Sequence, residues 1–299
     1  MNAERGAAPA AVLQAGEAVR YRLRQRFTYS YDGPAHDLVH RLVVVPPARH
    51  GDQRLVSGTV EVSDPAADVC WHDDDFGNRH CVVRVAQVPS RLELAVEVVV
   101  DRGAAGTLQP ATLQQPAGTQ PPGGQPSAGV RARLSRPSAL TAADGHIRAL
   151  ATRHAVPGDV LATADAFCAL VQERIAYGFG ATDVDTTAAQ ALAVGTGVCQ
   201  DQAHLMLALC RTQGIAARYV SGHLVGQGGT HAWTEVLVPG RHRAVAFDPC
   251  HGRRADARYV TVAVGRDYRD VPPTSGSYHG PAVGSLTTSR LLESEPLAA

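Results

Sequence analysis

The chain has 299 residues, enough for two domains with separate cores, and Lys plus Arg equal Asp plus Glu at 28 each. That balance, with only 5% aromatic residues, gives neither a cationic surface nor a stacking platform, so nucleic acid and anionic membranes are not expected partners. Among the 44% hydrophobic residues no run reaches the ~20 positions of a membrane span, since Glu93 and Glu97 interrupt the longest valine-rich stretch.

Residues 1–18 read as a flexible, alanine-rich tail without the apolar stretch of a secretion signal. From Val19 the pattern changes to short alternating runs at 19–31, 36–45, 54–63, 80–87 and 91–101, separated by Pro, Gly and Asp clusters. Closely spaced strands with no helix among them predict an all-β, sandwich-like domain over 19–102. Asp75-Phe76-Gly77-Asn78 suits a hairpin turn between two of the strands, because Gly and Asn accept left-handed backbone. Residues 103–137 shift to Gly, Pro, Gln and Ser, too apolar-poor to offset the entropy of ordering them, and read as a linker or insertion.

A second domain, 138–299, opens with helix signals at 141–154 and 159–177. The latter carries Leu161, Phe167, Leu170, Val171 and Ile175 on one side, with Asp159 near its start. Next comes Gly195-Thr196-Gly197-Val198-Cys199, from which Ala203, Leu207 and Cys210 recur at helical spacing until Gly214. Cys199 therefore sits at a helix N-terminus, where unpaired N–H groups and the macrodipole favour a thiolate and can face an oxyanion. Strands follow at 217–225, 231–238, 243–247 and 258–264, and a strand-like run at 283–292. Helices first and strands after describe an α+β domain with the cysteine helix packed on an antiparallel sheet.

A thiolate nucleophile needs a base, and the base needs a third group to hold its ring. His231 opens one strand, in His231-Ala232-Trp233-Thr234-Glu235, and Asp248 closes the next, in Phe247-Asp248-Pro249, so neighbouring strands can bring both over the helix start. Together with Gly197-Val198-Cys199-Gln200-Asp201, these motifs resemble those of the bacterial transglutaminase-like proteins, in the transglutaminase and papain-like cysteine enzyme superfamily. The stretches 181–189, 217–222 and 258–268 read like the same family, and the turn at 75–78 is similar to one in the N-terminal domain that accompanies its core.

The resemblance implies a papain-like core, with Cys199 as nucleophile, His231 as general base and acid, and Asp248 orienting the imidazole. It implies acyl transfer or hydrolysis on the amide of a peptide, protein or small molecule, through a thioester and without a cofactor. The chain departs from the family in one place: Cys250-His251-Gly252 stand where Thr-Asn-Gly is expected, which sets a second thiol beside the triad. The alternative is a binding or scaffold protein that keeps the fold without turnover.

Trp233 shares the strand face of His231 and is a candidate for shielding the site or lining it; Gln200 and Tyr177 are further substrate-binding candidates, Tyr177 as a group reaching the oxyanion. Two sets carry zinc-binding residue types: Cys70, His72, His80 and Cys81, and Cys199, His204, Cys250 and His251. Neither has paired Cys-x-x-Cys spacing, so no metal is expected. The six cysteines likewise show no disulfide framework, and a cytoplasmic, reducing setting is the expectation.

Overall fold

The computed structural model describes residues 18–103, 126–241 and 243–297. The first seven strands are β1 (Val19–Tyr31), β2 (Ala35–Val45), β3 (Arg49–His50), β4 (Gln53–Val62), β5 (Asp68–Asp73), β6 (Arg79–Val88) and β7 (Arg91–Arg102). Helices and short strands follow: α1 (Ala128–Leu134), α2 (Gly145–His154), α3 (Val160–Arg174), β8 (Ala176–Tyr177), α4 (Ala188–Val194), β9 (Thr196–Gly197) and α5 (Cys199–Thr212). The chain closes with β10 (Ala217–Leu224), β11 (His231–Val236), β12 (Val245–Asp248), β13 (Arg253–Arg254), β14 (Tyr259–Gly265), β15 (Thr274–His279) and β16 (Gly284–Pro296).

The N-terminal strands form the expected sandwich. One sheet runs β16-β1-β7-β4-β3 and the other β15-β2-β6-β5. Alternation on β1 buries Val19, Tyr21 and Leu23 and exposes the residues between more, so each strand delivers one face to a core shared with Leu38, Leu42, Val83, Leu94 and Val98. β5 was not expected. It is an edge strand with nearly every side chain exposed, so burial imposes no alternation on it.

The domain boundaries need two corrections. β16 pairs antiparallel with the whole of β1, and β15 pairs with β2, so 274–296 belong to the sandwich and not to the second domain. The strand-like run at 283–292 thus supplies an outer strand to the first domain. The linker expected over 103–137 lies outside the described residues at 104–125, but Ala128–Leu134 is a helix whose Leu134 packs with Ala216 and Leu237. Ser127 caps it by accepting the N–H of Val130.

In the second domain the sheet β13-β12-β11-β10-β14 carries α5 across it, and α2, α3 and α4 cover the other side of that helix. Every residue from Gln200 to Arg211 is buried, as expected of a helix enclosed on all sides. The helix expected at 159–177 ends at Arg174, leaving Ala176–Tyr177 as a strand parallel to Thr196–Gly197. No helix among the described residues is long and apolar enough to cross a membrane.

The two domains meet along β14, an edge strand of the second sheet. Side chains of the first domain bond the backbone groups that such an edge leaves open. Gln53 accepts from the Thr261 N–H at 2.9 Å and donates to its carbonyl at 2.7 Å, and Asn78 does the same for Val264 at 2.8 and 2.7 Å. Arg102 donates to the Tyr259 carbonyl, and the Tyr21 hydroxyl to that of Ala257. The 75–78 turn therefore does more than reverse the chain: Asp74 anchors it through the Phe76 and Asn78 N–H groups, which aims Asn78 at β14.

Candidate active site

Gly195 ends α4 in the left-handed conformation at φ 71°, which a side chain would disfavour. The chain then runs extended through β9, held by the Gly178 N–H bonding the Gly197 carbonyl at 2.9 Å, and enters α5 at Cys199. Asp201 fixes that entry. Its Oδ2 accepts the Val198 N–H at 2.8 Å and the Thr182 hydroxyl at 2.7 Å, and a Cβ on Gly197 would lie 2.6 Å from the same oxygen. Glycine is required there for the carboxylate to reach back over the helix start. Cys199 is half-buried, and its N–H has no acceptor among the described residues.

β11 places His231 beside that cysteine, and β12 places Asp248 beside His231. The Nε2 of His231 donates to Asp248 Oδ2 at 2.8 Å with both side chains buried, and the Cys199 thiol is close enough to act on the same ring. With Nε2 engaged by the carboxylate, Nδ1 is the nitrogen left free to serve the sulfur. Burial works against an imidazolium, but the hydrogen bond to Asp248, the bond to Cys199 and the charges of both outweigh it, raising the His231 pKa to about 9.

Asp248 is held on both oxygens. Oδ1 accepts the backbone N–H groups of Cys250 at 2.9 Å and His251 at 3.3 Å, as an Asx turn leading into Pro249 allows. Oδ2 accepts the Tyr259 hydroxyl at 2.6 Å and lies 2.7 Å from His251 Nδ1, in addition to its bond with His231. Burial raises this carboxyl, yet the bonds from His231, Tyr259 and His251 prevail and hold its pKa at about 2. Arranged so, the three groups can ionise a thiol, stabilise an imidazolium and return its proton to a leaving group.

Residues 148–249 match the transglutaminase-like superfamily core, and residues 21–101 match the bacterial transglutaminase-like N-terminal region. The chain belongs to the bacterial transglutaminase-like family. An uncharacterised protein of Mycobacterium tuberculosis is 28% identical to it over 284 residues, 86% of this chain and 87% of its own. One of Mycobacterium leprae is 34% identical over 155 residues, 48% of this chain and 54% of its own. The crystal structure of a presumed cysteine protease from Cytophaga hutchinsonii superposes with a TM-score of 0.72 at 20% identity, over 94% of this chain and 92% of that one, which shows a common fold.

The other expected residues of the transglutaminase-like core fare differently. Trp233 is fully buried, stacked near His231 at 6.1 Å between ring centres and edge-on to Tyr259, so it walls the site from behind and cannot touch a substrate. Gln200 is buried too, and its amide donates to the Val184 carbonyl at 3.2 Å, so it ties down the preceding loop. Tyr177 is 55% exposed and pairs with Gly197, two residues before Cys199, which puts it near the start of α5, and burial pushes its hydroxyl pKa up. Beside it Phe179 is 82% exposed, an edge-on neighbour at 5.4 Å.

In the first zinc-type set His72 and His80 stay together with rings 5.0 Å apart, but the cysteines leave them. Cys81 is buried in the sandwich core, whereas the Cys70 sulfur meets Arg84 at the surface and His80 bonds Asp74. His204 is buried against Tyr219 and accepts the Tyr268 N–H at 3.2 Å, so it leaves the cysteine set. A different trio comes together, His231, Asp248 and His251, whose ligand atoms all lie within 4.8 Å of one another. Tyr259 and His251 are contacts of Asp248 that the sequence did not pair with it, His251 entering as a candidate only in the second zinc-type set, because contact across β14 and within the 248–252 turn carries no periodic signal. The capping box Thr187 to Gln190, by contrast, was a readable signal for α4.

Proposed function

We propose that the protein is a cysteine-dependent enzyme acting on amide bonds through a thioester. The Cys199 sulfur attacks the carbonyl carbon, and the oxyanion that forms meets the unpaired Cys199 N–H. The His231 imidazolium gives its Nδ1 proton to the departing amine as the C–N bond breaks. Water or a second amine then attacks the thioester, His231 takes a proton from it, and the sulfur leaves. Asp248 holds the ring throughout. Water as acceptor makes the enzyme a peptidase or amidase, and an amine makes it a transglutaminase; the substrate is a peptide, a protein or a small amide.

The observation that carries this reading is the buried His231 bonded to Asp248 at 2.8 Å, its pKa raised by that carboxylate and by the nearby Cys199 at a helix start. The exposed Tyr177, paired with Gly197 just before the cysteine, and its neighbour Phe179 favour docking of an apolar acyl side chain. Six unpaired cysteines fit a cytoplasmic setting. A binding or scaffold protein would have no need of so shielded a Cys-His-Asp set.

Iodoacetamide tests the proposal. Cys199 should alkylate far faster than Cys70 at mildly acidic pH, and His231→Ala should slow it by ~100-fold or more, within the usual range for loss of a general base. Equal rates at the two cysteines would sink the enzymatic reading. Mass spectrometry of Cys199 after exposure to peptides and amides, with and without added amine, should then trap the acyl group and name the acceptor.

A further inference from the structure

Asp248 carries two imidazoles where one is enough to run a triad. The second, His251, belongs to the Cys250-His251-Gly252 segment in which this chain departs from the pattern its motifs otherwise follow. We propose that His231 Nε2, Asp248 Oδ2 and His251 Nδ1 form a reversible binding site for a divalent transition-metal ion of the Zn²⁺ class, completed by a solvent molecule, and that the bound ion switches the cysteine off.

The donor set is one that zinc takes. Two imidazole nitrogens and one carboxylate oxygen suit a borderline ion in a three-ligand site with an open fourth position. The ligand atoms already lie within 4.8 Å of one another, with the carboxylate oxygen 2.8 and 2.7 Å from the two nitrogens. Tetrahedral zinc with bonds of ~2.0–2.2 Å needs its ligands roughly 3.3–3.6 Å apart, so the two rings move by on the order of 1 Å or less.

The surroundings are arranged for the same task. Oδ1 is pinned by two backbone N–H groups, which fixes the carboxylate with Oδ2 turned into the cluster. Oδ2 has one lone pair for a metal and a second for the Tyr259 hydroxyl. The Gln227 side-chain amide nitrogen lies 3.2 Å from His251 Nε2, and by turning over it can present its Oε1 to accept from that nitrogen once Nδ1 becomes a ligand. His231 and Asp248 are buried while the His251 side chain is 33% exposed, so an ion has an entry path that ends in a dry site.

Binding replaces the Nε2 proton of His231 with the metal and releases that proton to solvent. The ring then keeps its other proton on Nδ1 as a neutral, metal-bound imidazole, a far weaker acid than the imidazolium, and no longer supplies the departing amine with a proton. This inhibitory half rests on the function proposed above; the binding half does not.

Calorimetric titration of the full chain with zinc sulfate, and cobalt absorption spectra, test the site directly. One ion per folded chain is expected. His251→Gln and Asp248→Asn should each weaken it by ~100-fold or more, beyond the 10- to 100-fold typical of an outer-shell partner. His251→Asp, which keeps a ligand, should recover part of the loss, and His72→Ala should change nothing. Saturating zinc should stop acyl groups from peptides and amides accumulating on Cys199, read by mass spectrometry, and a chelator should restore them. No saturable binding to folded protein, unchanged affinity in His251→Gln, or a thiolate-to-cobalt charge-transfer band would each overturn the assignment. Slow alkylation of metal-free Cys199 alongside intact zinc binding would overturn the enzymatic reading and leave the metal site standing.

Discussion

At the scale of the residue, Asp248 explains the protonation of its neighbour. A buried histidine by itself loses its proton readily, as His223 does, whose pKa burial and the nearby Arg290 depress to about 3. His231 lies close by yet moves the other way, to about 9, because its hydrogen bond and charge pairing with Asp248 and Cys199 exceed the burial penalty. Asp248→Asn removes the largest of those favourable effects and leaves the burial in place. The His231 pKa should then fall below its ordinary 6.5, read from the ring signals in an NMR titration. The sign for stability follows. Since the folded-state value is raised, His231 stabilises the fold fully below pH 6.5, and that contribution disappears as pH rises through about 9. Tyr259 supports the same carboxylate, and its hydroxyl stays a donor because burial and the Asp248 carboxylate both raise its pKa.

At the scale of the element, β14 is the strand on which the two domains depend. It carries Tyr259 into the site on one end and is edged along its length by Gln53, Asn78 and Arg102 from the sandwich. Asn78→Ala leaves the Val264 N–H and carbonyl buried without partners. At about 1–3 kcal/mol for each of the two unsatisfied groups, it should cost on the order of 2–6 kcal/mol, measurable as a lower urea midpoint. A variant that unfolds at the same midpoint would mean that water replaces the amide. The helix that bears Cys199 shows the same dependence on neighbours: Asp201 and Gly197 set where α5 begins, and Thr182 from the preceding loop holds Asp201 in place.

At the scale of the whole molecule, three buried histidines make the fold acid-sensitive. His40 sits in the sandwich, His204 in α5 and His223 in β10, with pKa values lowered by burial to about 4, 3 and 3. Each binds a proton in the unfolded chain before it does in the folded one, so stability is present above pH 6.5 and is lost as pH falls toward those values. By linkage the loss is on the order of 2 kcal/mol per histidine at pH 5. Chemical denaturation at pH 7 and pH 5 should show a marked drop in the midpoint, and His40→Gln should reduce the drop. A flat profile between those pH values would contradict the burial of these rings.

Local pattern determined much of this protein without help. The alternation of β1, β2, β4, β6 and β7, the α3 and α5 periodicities, and the order of Cys199, His231 and Asp248 are written in spacing that a neighbour-to-neighbour reading detects, because strand and helix periods are properties of a single segment. Tertiary structure alone decided that β15 and β16 return to the first sandwich, that Gln53 and Asn78 seal the edge of β14, and that His251 and Tyr259 converge on Asp248. Pairing between strands far apart in the chain, as in β1 with β16, leaves no trace in either strand's own pattern, since the hydrogen bonds that select it are made by backbone groups every residue possesses.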